Sequence, residues 1–302
     1  MTTRRTVLAT ALSLAIVSLF AGRAISAFAA EATPATRISV TVEGSGSDVV
    51  LIAGLNSSPR VWRELIAATP GHRYHLVQVS GFAGAAAGAN VEGPVAAPVA
   101  EDIARYIETT ITGKKLPKPA LIGHSMGGTI GLMVASRHPQ LVERLMVVDM
   151  VPFLGALFGP PGTTAASITP TADGILAAMR AAEPEARRTR AIGTINSMIN
   201  NVPMRAGAID DSLTSTADVS ARAYHELVVT DLRPELAAIT APLTVLYIAP
   251  KGLMDGPQAD AAYKGAYAGA KTLRLKRIDD SAHFIMWDQP AQFQAEVKQF
   301  LK

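Results

Sequence analysis

The sequence predicts an α/β fold: a mostly parallel sheet covered on both faces by helices, with a helical piece set into the middle of the chain. Three observations predict it. Short apolar, β-branched runs alternate with segments of helical periodicity along most of the chain, the pattern of strands joined by helical crossovers. The alternation stops over residues 153–235, which read as helical pieces divided by Pro and Gly, with no convincing strand. It then resumes to the C-terminus. With 302 residues, 49% of them hydrophobic, one large domain with a sizeable core is within reach.

In chain order, RISVTVEG (37–44) alternates and reads as a first strand. DVVLIAG (48–54) is a continuous run of the kind buried on both faces of a sheet. SPRVWRELIAA (58–68) places Val61, Leu65 and Ile66 at helical spacing behind Ser58 as N-cap and Pro59 at the first helical position. YHLVQVS (74–80) is the next strand, the Gly/Ala-rich 81–94 a loop, and 99–111 an amphipathic helix. PALIGH (119–124) is a strand feeding straight into a helix over 125–139, which Pro139 stops, and VERLMVVD (142–149) is a strand. Within 153–235, helices are expected near 172–182, 184–200 and 218–229. Strands at 241–250 and 271–280 then alternate with helices at 258–269 and 289–302. The expected organisation is a core in two parts, 30–152 and 236–302, with a helical cap, 153–235, over one edge of the sheet.

The first 29 residues stand apart. A basic start, an apolar run from Val7 to Gly22 and the small residues around Ala27-Phe28-Ala29 form the pattern of a secretory signal. Arg4-Arg5 before Thr6-Val7-Leu8 also resembles a twin-arginine signal. The expectation is an exported protein, periplasmic or secreted, without stable membrane association once that segment is removed. The apolar run, at roughly 16 residues, is short of the ~20 that a membrane span needs. The segment holds Arg4, Arg5 and Arg23 and no acid, so of 28 basic residues 25 remain against 25 acidic ones. A remainder balanced in charge has no nucleic-acid footprint. With no cysteine, disulfides, thiolate metal sites and a cysteine nucleophile are excluded.

The chemistry centres on Gly123-His124-Ser125-Met126-Gly127, a G-x-S-x-G pattern between an apolar strand and a helix. That setting suits a serine nucleophile on a turn too sharp for neighbouring Cβ atoms, at a helix N-terminus that favours developing negative charge. A serine nucleophile needs a base. Of six histidines, His283 alone follows the last strand and precedes the last helix, in DDSAHFIMWDQP. That loop opens on the sheet edge that carries Ser125, which makes His283 the expected general base.

The chain resembles the α/β-hydrolase family. LIGHSMGG matches its nucleophile elbow, VVLIAGLNSSPRVW its first-strand loop with Ala53-Gly54 where His-Gly is more usual, DLRPELAAITAPLTVLY its return from cap to core, and SAHFIMWDQPAQF its histidine loop and last helix. The resemblance implies an eight-stranded, mostly parallel sheet and a Ser–acid–His triad in that chain order. It also implies an oxyanion hole formed by the backbone N–H groups of Leu55 and Met126, with Asn56 as an additional polar group or a turn residue. The acid has two candidates. The family most often places it after the strand at 241–248, where this chain has Pro250, Lys251 and Gly252, with Asp255 about four residues later. Its other known place is the end of the strand before the cap, which is Asp149; because a lysine at 251 would disfavour the imidazolium, Asp149 is the expected acid and Asp255 the alternative.

The expected reaction is hydrolysis through an acyl-enzyme, of an ester or lactone with a small or medium apolar acyl group, requiring no metal or cofactor. Phe153 and Trp287, with Met198, Met204 and Phe158, are candidates for the apolar pocket wall or for simple packing of the cap. The alternatives are a peptidase anchoring the substrate amine on Glu183 or Glu185, a cofactor-free haloperoxidase, a carbon–carbon hydrolase, and a non-catalytic binding protein if no acid completes the triad.

Overall fold

A computed structural model describes residues 36–302, so the expected leader, residues 1–29, lies outside the described residues. The elements are β1 (Ile38–Gly44), β2 (Ser47–Ile52), α1 (Arg63–Ala68), β3 (His72–Val79), α2 (Ala96–Tyr106), β4 (Ala120–His124), α3 (Met126–Arg137) and β5 (Arg144–Val148). Then come α4 (Ala165–Ala181), α5 (Pro184–Met198), α6 (Val202–Thr214) and α7 (Ala217–Val229). The chain ends with β6 (Leu243–Tyr247), α8 (Gly256–Ala266), β7 (Leu273–Arg277), α9 (Ile285–Asp288) and α10 (Pro290–Phe300).

The strands lie in the order β1-β3-β2-β4-β5-β6-β7. β1 runs antiparallel to β3 and every other neighbouring pair is parallel. Seven strands are thus present among the described residues, matching the seven strand-like runs of the sequence; the eighth implied by the resemblance is not among them. The central strands β4, β5 and β6 are continuous apolar runs because parallel strands are covered on both faces. Their side chains alternate between two cores. Leu121, Leu145, Val147 and Val245 face one, while Ile122, Met146, Val148 and Leu246 face the other. The edge strand β7, LRLKR, is only partly buried, and its Arg and Lys residues guard the open edge against pairing with another chain.

The mid-chain insert holds four helices, α4–α7, where the sequence suggested three. The unexpected one is α6, VPMRAGAIDDSLT, which fully buries only Ala208 and Asp211, with Met204 and Ile209 partly buried against the core, so its apolar stripe is short. Helix α4 begins at Ala165, ahead of the expected start, on a Thr164–Ser167 capping box. Among the described residues no helix is long and apolar enough to cross a membrane.

The insert is tied to the core by Glu226 of α7. Its carboxylate accepts the backbone N–H groups of Val95, Ala96 and Ala97 at 2.6, 2.7 and 2.8 Å. Val95, the N-cap of α2, offers no side-chain cap of its own, so a carboxylate from another element fills that place and meets the positive end of the helix. Glu226→Ala is expected to lower stability by about 1–3 kcal/mol, the worth of charge-assisted hydrogen bonds lost at a helix start. Urea unfolding checks this, and a midpoint equal to that of the parent protein would count against it.

Candidate active site

The site assembles at the C-terminal ends of β4 and β5 and in the loop after β7. Ser125 sits between β4 and α3 with φ 53° and ψ −124°, a left-handed turn rare for a residue with a Cβ. Two glycines allow that turn. A Cβ on Gly123 would run into the carbonyl of Gly127, and one on Gly127 into the carbonyl of Ile52 on β2. Helix α3 can therefore start hard against the sheet. The Ser125 N–H donates to the Val148 carbonyl at 2.9 Å, which ties the turn to the end of β5.

Asp149 follows directly and also turns left-handed, with φ 51°. Its N–H donates to Leu246 of β6 at 2.7 Å, and its side chain is 8% exposed. His283 Nδ1 lies 2.6 Å from Asp149 Oδ2. A carboxylate only accepts, so Nδ1 carries the proton, and in the neutral ring Nε2 keeps its lone pair. The other Asp149 oxygen accepts the Tyr263 hydroxyl at 3.0 Å. Burial, and then the neighbouring Asp149 charge, hold the Tyr263 phenol well above its ordinary range, so it stays a donor.

The second candidate acid is elsewhere. Asp255 is the N-cap of α8, where its carboxylate accepts the Gln258 N–H at 2.8 Å in a capping box. Lys251 is exposed in the preceding turn. Asp279 pairs with Arg277 at 2.6 Å and Asp280 occupies a left-handed turn. The remaining histidines have partners away from Ser125: His72 with Ser47, His75 with Asp48 and Tyr106, His138 with Glu101, and His225 with Asp173.

His124 is the exception, and its role was not legible in the motif. It is 1% exposed, its ring lies 4.6 Å from that of His283, and its Nε2 lies 3.1 Å from the His283 carbonyl. A carbonyl only accepts, so Nε2 carries the proton there; Nδ1 is buried with no partner among the described residues. His124 thus links the residue before Ser125 to the backbone that carries His283. Burial, then the neighbouring His283, hold its pKa well below the ordinary histidine value. Protonation therefore favours the unfolded chain. The stability that His124 contributes is fully present above the unfolded value of about 6.5 and is lost as pH falls below it toward the folded value. His124→Asn is expected to flatten the acid side of the stability profile by up to about 1.4 kcal/mol per pH unit below pH 6.5. Urea midpoints at a series of pH values check this, and equal slopes in the two proteins would refute it.

Asp288 is a further unforeseen member. Its Oδ2 accepts the Ala282 N–H, and its Oδ1 accepts the N–H groups of Asn200 and Asn201, each at 2.9 Å. One carboxylate thereby straps the His283 loop to the α5–α6 junction. The signal for Tyr263 was the tyrosine pair of YKGAY, spaced i,i+4 at the end of α8 with Tyr267 as its C-cap, since buried phenols need acceptors.

The N–H groups of Leu55 and Met126 have no backbone acceptor among the described residues. Met126 is the first residue of α3, where the N–H is free by construction. Gly54 lies against the nucleophile turn, so that a Cβ there would sit 3.0 Å from Ser125 Cβ. Phe153 is 2% exposed and packs with Ile168, Ala172 and Val228, under the Arg233 guanidinium at 4.7 Å. Trp287 is 5% exposed and stacks on Phe284 at 4.8 Å. Both are thus buried, while Phe158 is exposed and Met198 and Met204 are partly buried. Glu183 and Glu185 are exposed at the start of α5.

Comparison with known proteins gives a consistent result. The model of the alpha/beta hydrolase family matches residues 49–296. The chain is 29% identical over 224 residues to a pimeloyl-[acyl-carrier protein] methyl ester esterase of Pectobacterium atrosepticum, covering 71% of this chain and 78% of that protein. It is 28% identical over 189 residues to an sn-1-specific diacylglycerol lipase of Mus musculus, covering 60% of this chain and 58% of the relative. Other curated relatives are matched over as little as 37% of their length. Among solved structures, an esterase from Exiguobacterium antarcticum superposes with a TM-score of 0.70 at 21% identity, over 87% of this chain and 94% of that one. At that identity the likeness speaks for the fold.

Proposed function

The chain belongs to the alpha/beta hydrolase family, and on that premise we propose that it is a serine hydrolase cleaving a carboxylic ester or lactone with a small or medium apolar acyl group. The observation that carries the reading is the 2.6 Å contact of His283 Nδ1 with Asp149, with the His283 ring 4.6 Å from that of His124, the residue before the strained turn of Ser125. His283 Nε2 takes the Ser125 proton as Oγ attacks the carbonyl carbon. The N–H groups of Leu55 and Met126 hold the oxyanion, and His283 protonates the leaving alcohol. The same imidazole then activates water to release the acid, while Asp149 holds the ring in its productive tautomer and faces the imidazolium as it forms. Tyr263 holds the second Asp149 oxygen. His124, kept neutral by burial, adds no positive charge beside that imidazolium. Relatives named as an esterase and a lipase support an ester as the bond cleaved. The leader-like residues 1–29 support action outside the cytoplasm.

Labelling by a fluorophosphonate probe, followed by a chain-length series of p-nitrophenyl esters beside aminoacyl anilides, tests the reading. Labelling at Ser125 with turnover of short and medium esters is expected. A protein inert to the probe, or one that turns over anilides in preference to esters, refutes it.

A further inference from the structure

The loop that carries Leu55 is held by the helical insert. Asn56 Oδ1 accepts the Ser220 hydroxyl of α7 at 2.6 Å. Ser58 gives Asp211 Oδ2 of α6 both its N–H, at 3.2 Å, and its hydroxyl, at 2.8 Å. Arg60 pairs with Asp211 Oδ1 at 2.6 Å and donates to the Gly207 carbonyl of α6. Three alternate residues, 56, 58 and 60, thus send their side chains into the insert. Ser57, between them, turns its hydroxyl back to the Leu55 carbonyl at 3.4 Å.

Two features show that these contacts hold a shape. Asn56 stands at φ 57°, a left-handed turn that Asn adopts more readily than most residues with a Cβ, and the Ser220 hydroxyl holds its side chain there. Asp211 is buried on the same helix as the core-packed Ala208, and its carboxylate is filled by donors of this loop. A buried carboxylate without partners is costly, so Asp211 and the loop order each other.

We propose that Asp211 and Ser220 are positioning residues for the oxyanion hole, so that the insert, rather than the sheet, aims the Leu55 N–H. The proposal rests on the reading of Leu55 as an oxyanion donor. Its consequence is that seating of α6 and α7 and stabilisation of the tetrahedral intermediate are one event. A donor helps only where the oxyanion will lie, so a small rotation of the loop is felt in the transition state and little in substrate binding.

The test uses the full chain and counts active sites by fluorophosphonate titration. Asp211→Leu keeps the volume and removes the acceptors; Asp211→Asn keeps an acceptor for Ser58. Asp173→Asn, an exposed insert residue paired with His225, is the control. For Asp211→Leu, kcat per titrated site is expected to fall about 10–100-fold with KM within about threefold. Affinity for a trifluoromethyl ketone, which mimics the oxyanion, falls by the same factor, and Asp211→Asn restores most of both. A merely structural role would lower the number of titrated sites and leave the ratio of ketone affinity to KM unchanged. That outcome, or a kcat per site within twofold of the parent, overturns the proposal. If Asp211→Leu does not fold, Ser220→Ala is read by the same ratio. An unmodified protein that the probe does not label sinks the assignment of Ser125, and this proposal with it. A labelled parent with an equally competent Asp211→Leu sinks this proposal alone.

Discussion

Ser125→Ala is expected to abolish fluorophosphonate labelling and to lower kcat for a p-nitrophenyl ester by about 10⁴–10⁶-fold, the scale of losing a nucleophile that acts as one unit with its base. The loss is large because Ser125 has no substitute. It alone stands on the turn between β4 and α3, with its backbone held by Val148 and the glycines around it leaving no room for another side chain. Folding should not suffer. The φ of 53° is strained for any residue with a Cβ, and Ala meets the same strain as Ser. An unfolding midpoint close to that of the parent, measured beside the kinetics, separates lost chemistry from lost structure. Residual turnover within about 100-fold of the parent would place the chemistry elsewhere.

Asp149→Asn carries the second largest effect, a fall in kcat of about 10³–10⁴-fold, or roughly 4–5.5 kcal/mol at the transition state. Asn keeps the shape and reverses the hydrogen-bond logic. Its amide can donate to His283 Nδ1, which drives the ring proton to Nε2, and a protonated Nε2 cannot take the proton of Ser125. The Tyr263 hydroxyl, 3.0 Å from Asp149, can still donate to the amide oxygen and so holds the Asn in that unproductive pose. Asp255→Asn is the companion measurement and should stay within about twofold in kcat, because Asp255 caps α8 and Asn is a comparable cap. Near-full activity in Asp149→Asn together with a collapse in Asp255→Asn would reverse the assignment.

The sharp turn at Ser125, the loop of His283 after the last strand and all seven described strands were legible along the chain, since each depends on a local pattern. A continuous apolar run marks a strand covered on both faces, and Gly-x-Ser-x-Gly between strand and helix marks a sharp turn. The sequence favoured Asp149 over Asp255 but could not close the choice. Both satisfy the chain order Ser, acid, His, and Lys251 in the usual place of the acid only sharpened the question. Helix α6 was hidden for a different reason. It rests on the core through a short stripe, Met204, Ala208 and Ile209, and otherwise carries polar and small residues, so its periodicity is weak.

By itself, then, the sequence determined the alternation of strands and helices, the break at the insert, the strand–turn–helix that carries Ser125 and the loop that carries His283. Only the tertiary structure decided which carboxylate meets His283, that Tyr263, His124 and Asp288 steady that meeting, and that the Leu55 loop leans on Asp211 and Ser220. The reason is physical. Local propensity and periodicity act over a few residues, whereas these contacts join residues 134, 114, 159, 153 and 164 positions apart. They exist only because β4, β5 and β6 lie side by side and the insert folds back over their C-terminal ends.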